Sequence, residues 1–197
     1  MTEGAPELVL ETARLRLRPL TVADLDLCIA LGTDPAVMRF IGPVETAETI
    51  TAQMSDLTRR CAQGRIGIWV ILDRSRGEKL GTVFLLPLPV EEKDTPFGKI
   101  EGDDLPEGEI EIGYWIKPAA WGRGIATEAC ARLLRFAFEA TALDEVAAVI
   151  DPDNAASRRV LLKAGMRETG IRRAFAQDCP GFRMARAEWV AREAGDA

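Results

Sequence analysis

No histidine occurs among the 197 residues. That absence removes serine-histidine-aspartate hydrolysis, cysteine-histidine nucleophilic catalysis and the common histidine zinc sites, so acid-base chemistry must run on carboxylates, hydroxyls, thiols, amines or water. Aromatic residues are only 6% of the chain and include a single tyrosine, Tyr114. No apolar run approaches a membrane span. The acidic, polar start Met1 to Glu7 lacks the basic and apolar regions of a secretory signal, so the expected location is the cytoplasm. The four cysteines, Cys28, Cys61, Cys130 and Cys179, are scattered without paired ligand spacing, which reads as reduced, packed thiols and not as a disulfide frame or a metal site. A net charge of −6 argues against broad nucleic-acid binding and suits a cationic or amine substrate. The hydrophobic and charged fractions, 47% and 28%, are those of an ordinary globule, and the length suits one domain over 1–197 with its core from residue 8 to 190.

The stretch Glu109 to Glu128 joins a strand, a glycine loop and a helix start. Ile110, Ile112, Tyr114 and Ile116 occupy alternate positions, the period of a strand that buries one face, and Glu109 and Glu111 fall on the other. Lys117 and Pro118 end the strand, and Gly122 and Gly124 flank Arg123 where the backbone must bend and approach a ligand. From Ile125 the period changes: Ala126, Ala129, Leu133, Phe136, Ala137 and Ala140 form an apolar helical stripe. A glycine loop feeding a helix N-terminus is an anion site, because unpaired N–H groups and the helix dipole favour phosphate there. The alternative is that the glycines only make a sharp turn. A Walker A loop is excluded by the missing Gly-Lys-Ser/Thr, and a Rossmann fingerprint lacks its third small residue.

Gly113-Tyr114-Trp115-Ile116 followed by Trp121-Gly122-Arg123-Gly124-Ile125-Ala126-Thr127-Glu128-Ala129 resembles the acetyl-CoA loop of GCN5-related N-acetyltransferases, especially the branch that acetylates ribosomal-protein N-termini. Asn154-Ala155-Ala156-Ser157, with Leu161, Lys163, Ala164, Gly165 and Met166, resembles the family's second cofactor segment, and Thr12 to Leu20 with Asp24 its opening strand and first helix. The resemblance spans nearly the whole chain. One departure is Trp121, where the family's loop commonly opens with Arg or Gln.

The resemblance implies an α/β (α+β) fold, a mixed, mostly antiparallel twisted sheet of about six to seven strands flanked by helices. It implies acetyl-CoA as cosubstrate and no metal, with Ile116, Gly122, Arg123, Gly124, Ile125, Ala126, Thr127, Asn154 and Ser157 holding the cofactor. The expected acceptor is an amine, best a protein N-terminus by family branch. The alternatives are a small-molecule amine, or a CoA-binding sensor or interaction module without turnover. No nucleic acid or membrane is expected, and the chain is expected to be a monomer or homodimer.

Acetyl transfer needs a neutral amine, a steadied carbonyl oxygen and a protonated leaving thiolate. Glu111 is the preferred proton acceptor, with Glu109 or water as alternatives, because it lies nearer Gly113, where a β-bulge would free backbone N–H groups for the carbonyl. Both glutamates read equally as solvated carboxylates on an exposed strand face. Ser157 matches a hydroxyl position near the departing sulfur in the ribosomal branch and is the candidate acid. Asn154 should hydrogen-bond pantetheine amides, cap a helix, or both.

Elsewhere, Leu8 to Leu20 reads as a strand with solvated Arg14, Arg16 and Arg18, Thr21 to Leu31 and Glu45 to Gln63 as helices, and Ile66 to Asp73 with Leu80 to Leu86 as a hairpin. By resemblance Arg39 and Phe40 border the acceptor. Residues 87–108 read as a long mobile loop, and Glu145 to Asp151 as a buried strand. Met166 to Ala174 and Phe182 to Trp189 read as the last strands, turned at Asp178 to Gly181, with a frayed tail from Glu193.

Overall fold

The computed structural model describes residues 8–195, so the start Met1 to Glu7 and the last residues of the tail, Asp196 and Ala197, lie outside the described residues. One sheet organises them. Its eight strands are β1 (Leu10–Glu11), β2 (Leu15–Pro19), β3 (Gly67–Asp73), β4 (Lys79–Pro87), β5 (Ile110–Ile116), β6 (Glu145–Val149), β7 (Arg167–Ala174) and β8 (Gln177–Ala185), in the order β1-β2-β3-β4-β5-β6-β8-β7. Every pairing is antiparallel except that of β5 with β6. A parallel pair cannot be closed by a tight turn, and the crossover is made by helix α4 (Ile125–Ala140), numbered in chain order after α1 (Leu25–Gly32), α2 (Pro35–Met38) and α3 (Ala47–Leu57). Helices α5 (Ala155–Ala164) and α6 (Arg186–Gly195) complete the chain.

The expected mixed, mostly antiparallel sheet is present, with eight strands in place of six or seven. The extra strand arises because Leu8 to Leu20 is broken: Thr12 N–H donates to Leu15 O, and Leu15 N–H donates to the Thr12 hydroxyl at 2.8 Å, so the chain folds back as a hairpin. Helix α3 stops at Leu57, well short of Gln63. The Thr58 hydroxyl donates to Met54 O, and Ala62 and Gln63 take positive φ values of 52° and 55° to turn toward β3. The final turn is not at Asp178 to Gly181, which lies within β8, but at Phe175 and Ala176, also at positive φ. Trp189 belongs to α6, which stacks it on Phe138 of α4 with centroids 5.6 Å apart. Helix α6 also takes up Glu193 to Gly195, so the tail expected to fray is helical there.

The two sheet faces are covered differently. Trp69, Val83 and Tyr114 stand in one row across β3, β4 and β5, and Trp69 meets Phe136 of α4 edge to face. The alternation of β2 buries Leu15 and Leu17 on this side. Turned the other way, Arg18 reaches the fully buried Asp24, which accepts two bonds of 2.7 Å from that guanidinium, one from Thr21 N–H, and lies 2.9 Å from Lys79. These bonds to the charged form hold the Asp24 carboxyl well below its usual range, although burial opposes them. This cluster seats the start of α1 on the second face.

Residues 88–109 are stitched down, contrary to the mobile loop expected. Leu88 N–H donates to Glu109 O, Phe175 and Ala176 N–H donate to Pro89 and Val90 O, Glu91 pairs with Arg173, Glu101 with Arg59, and Ile100 is buried. The composition showed the missing periodicity but not the partners, which come from distant elements.

Candidate active site

The loop after β5 folds as the glycines demand. Gly122 and Gly124 have φ of 70° and 76°, the left-handed region that side chains disfavour. A Cβ on Gly122 would meet nothing within 4 Å, so its backbone faces open space. Gly124 is the N-cap of α4, and Glu128 N–H is the donor to its carbonyl, at 3.1 Å. The N–H groups of the first helical turn, Ile125 to Thr127, therefore point out of the helix end without intrahelical acceptors. The geometry fits a pyrophosphate.

The loop is braced from two sides. Trp121, half exposed, donates its indole N–H to Ile116 O at 2.7 Å, so the residue that departs from the family pattern closes the loop onto the strand it leaves. Arg14 donates to Arg123 O at 3.0 Å and to Glu128 at 2.7 Å, and the Thr12 hydroxyl also bonds Glu128. Arg14 is thus not merely solvated; Arg16 is exposed. No spacing rule reveals Arg14, because its partners lie over a hundred positions away.

Between β5 and β6 the sheet opens. Their pairing is confined to Glu111 opposite Ala147, after which the strands part toward the glycine loop. The main chain of β5 is thereby freed on one edge, not by the expected bulge at Gly113: the β4–β5 register runs unbroken from Gly81 opposite Ile116 to Pro87 opposite Ile110. Gly113 has a different reason to be glycine, since a Cβ there would sit 2.2 Å from the Phe84 ring that lies across it.

Glu111 is not a solvated carboxylate. It is only 5% exposed, because β5 is a central strand covered on both faces. Burial pushes its carboxyl up to about 8, against the pull of the Arg172 guanidinium. Glu109, exposed just before the strand, is instead bonded to Arg172. Arg172 sits in an Ile-Arg-Arg-Ala run that carries no sequence signal of a site.

Strand parity sends Tyr114 to the face opposite Glu111. There its hydroxyl meets Ser157 Oγ at 2.8 Å. Burial raises the Tyr114 phenol above its ordinary value, so it stays protonated and the pair can donate a proton. Asn154 caps α5, its Oδ1 accepting from Ser157 N–H at 3.0 Å, which fixes the Ser157 backbone. Ile116 ends β5 just before the Gly122 to Thr127 loop, Asn154 and Ser157 stand at the start of α5, and Ser157 meets the Tyr114 hydroxyl on the face of β5 opposite Glu111. Arg39 and Phe40 are paired with each other, guanidinium over ring at 4.8 Å.

A cavity of about 660 Å³ lies elsewhere, between α4 and α6, lined by Arg132, Arg135, Trp189 and Glu193 among others; it shares Glu128 with the loop helix but not the glycines. Among the described residues no cluster of His, Cys, Asp and Glu is arranged to hold a metal ion, and no helix is long and apolar enough to cross a membrane.

Known proteins resemble this chain in sequence and fold. Residues 14–167 match the acetyltransferase (GNAT) domain model. An uncharacterized N-acetyltransferase of Bacillus subtilis, YoaA, is 32% identical over 170 residues, 85% of this chain and 87% of its own. The FsC-acetyl coenzyme A-N(2)-transacetylase of Aspergillus fumigatus is 31% identical over 80% of this chain, which spans 64% of that protein. A putative ribosomal N-acetyltransferase of Bacillus subtilis, YdaF, is 42% identical over 62 residues, 32% of this chain and 34% of its own. Among solved structures, a GNAT-family acetyltransferase from Bacillus anthracis superposes with a TM-score of 0.71 at 20% identity, covering 91% of this chain and 99% of that one. The aminoglycoside acetyltransferase AAC(6')-Ib, solved with coenzyme A, gives 0.70 at 16% identity over 90% and 98%. With a domain match across most of its length, and a sheet parted beside a glycine loop as its fold, this chain belongs to the GNAT acetyltransferase family.

Proposed function

We propose that this acetyltransferase uses acetyl-CoA to acetylate a primary amine by direct transfer, with a protein or peptide N-terminus as the acceptor. The observation that carries the reading is that β5, which pairs with β6 only at Glu111 and Ala147, leads into the Gly122–Thr127 turn and carries Glu111 on one face and the Tyr114–Ser157 pair on the other. The loop N–H groups would hold the pyrophosphate, and the free edge of β5 with Asn154 would hold the pantetheine amides. Bound acetyl-CoA supplies the activated acetyl thioester. Glu111 takes the proton that the amine loses as it forms its new C–N bond, and the Tyr114–Ser157 hydroxyls give a proton to the sulfur as the C–S bond breaks. A carboxyl titrating near the amine itself is well matched to that exchange.

The N-terminal acceptor is supported by the similarity to a putative ribosomal N-acetyltransferase and by the chain's acidity, −6 overall, which favours cationic partners. A small-molecule amine is the competing acceptor, since one relative is named for N(2)-transacetylation. Thiol release from acetyl-CoA should be measured across short peptides with free N-termini, diamines and aminoglycosides. Peptides should give the highest kcat/KM. Turnover with the small amines alone would move the acceptor class, and binding without turnover throughout would make the chain a CoA-binding module.

The paired hydroxyls give a second test. Ser157→Ala and Tyr114→Phe should each slow single-turnover transfer at saturating acetyl-CoA by no more than about tenfold, because the remaining hydroxyl keeps the proton supply. The double variant should lose ~10², the low end for general acid catalysis, because a thiolate is a fair leaving group unaided. A double variant as fast as wild type would remove the acid role from this face.

A further inference from the structure

Arg172 reaches the site from the far edge of the sheet. It starts on β7, with β8 and β6 between it and β5, and the registers place it on the face of Glu111: Arg172 stands opposite Cys179, Gly181 opposite Val149, and Ala147 opposite Glu111. Gly181 clears its path, since a Cβ there would lie 2.5 Å from Arg172 Cδ and 2.9 Å from Cγ. At the end of that path Nη2 donates to Glu109, while Nε is buried with no hydrogen-bond partner. The other charged groups on this face leave the role to Arg172: Arg183 of β8 is bonded to Glu145 of β6, and β4 contributes Thr82, Phe84 and Leu86, none of them charged. A buried carboxylate with a long cation threaded toward it across a strand, through a glycine, is costly to build for packing alone.

We propose that Arg172 is a positioning residue for acetyl transfer: it ties Glu109 down by a hydrogen bond and presents its charge to Glu111, so that Glu111 and not Glu109 takes the proton of the amine. The inference rests on Glu111 as the base. The raised carboxyl of Glu111 fits this geometry, because the cation is the one group acting against its desolvation.

The test follows the Glu111 carboxyl directly by ¹³C NMR titration of glutamate-labelled protein, the resonance being assigned by its loss in Glu111→Gln. Arg172→Gln should raise the midpoint by ~1 unit or more, as expected when a close opposite charge is removed, and Arg172→Lys should restore most of it. Gly181→Ala, which keeps the charge but displaces the side chain, should move the midpoint in the same direction; it serves also if Arg172→Gln fails to fold. In turnover of acetyl-CoA with a peptide amine, Arg172→Gln should lose activity at neutral pH and recover it as the pH rises, with the KM for acetyl-CoA unchanged. A midpoint unmoved by Arg172→Gln, or by Gly181→Ala, overturns the proposal while an inactive Glu111→Gln leaves the base in place. Full activity of Glu111→Gln in the same assay overturns both.

Discussion

Replacing Glu111 by glutamine is expected to lower kcat/KM by ~10² to 10⁴ at alkaline pH while leaving acetyl-CoA affinity within about twofold, since it removes a proton acceptor and little volume. The wild-type profile should climb as the pH passes about 8, where the buried carboxyl ionises, and the variant should lack that step. The gap therefore narrows in acid, where the wild-type group is protonated too. An acceptor whose amine is already neutral throughout the window isolates this step from the amine's own titration. Equal rates at every pH would reassign the base to Glu109 or water.

The same residue carries a stability signature of defined sign. Its folded carboxyl titrates near 8, above the unfolded value of ~4.3, so the native state holds the proton more tightly. That stabilisation is complete below the unfolded value and is lost as the pH rises through the folded one. Chemical denaturation should show the wild type losing on the order of a few kcal/mol between pH 4 and pH 9, more than Glu111→Gln loses over the same range. Parallel curves would mean that Glu111 is solvated in the folded protein.

Gly124→Val is expected to weaken acetyl-CoA binding by roughly ten- to a hundredfold, the equivalent of the ~1–3 kcal/mol that a β-branched residue pays at a left-handed position. The strain falls on the N-cap of α4, where it turns aside the N–H groups of Ile125 to Thr127, and the added Cβ would also meet Arg14 at 3.4 Å. Gly122→Ala, in open space at a φ of 70°, should cost less. Calorimetric titration decides it: unchanged affinity in a folded Gly124→Val would make the loop a turn and nothing more.

Much of the frame was legible in the residues alone. The alternation from Ile110 to Ile116, the glycines at 122 and 124 and the change to helical period at Ile125 specify strand, left-handed turn and helix through short-range sterics. The same parity put Tyr114 and Glu111 on opposite faces. Asn154 as a cap needs only its own next turn. Such features depend on neighbours within a few positions, and the chain carries them wherever it folds.

The rest required residues far apart in the chain to meet. Glu111 reads as solvated until β4, β6 and their coverings enclose it, and burial, which sets its chemistry, is a property of that enclosure. The opening of β5 comes from its divergence from β6, not from a local bulge, so no residue of β5 announces it. Tyr114 finds Ser157 across 43 positions, and Arg14 finds Glu128 across 114. Arg172 reaches Glu109 past Gly181, on the next strand, which has no side chain to crowd its path. The backbone of the Ile110 to Ile125 segment follows local sterics and was therefore present in the sequence, whereas the turns at Ala62–Gln63 and Phe175–Ala176 and the partners, exposure and ionisation of these side chains depend on strand order, which only the tertiary structure supplies.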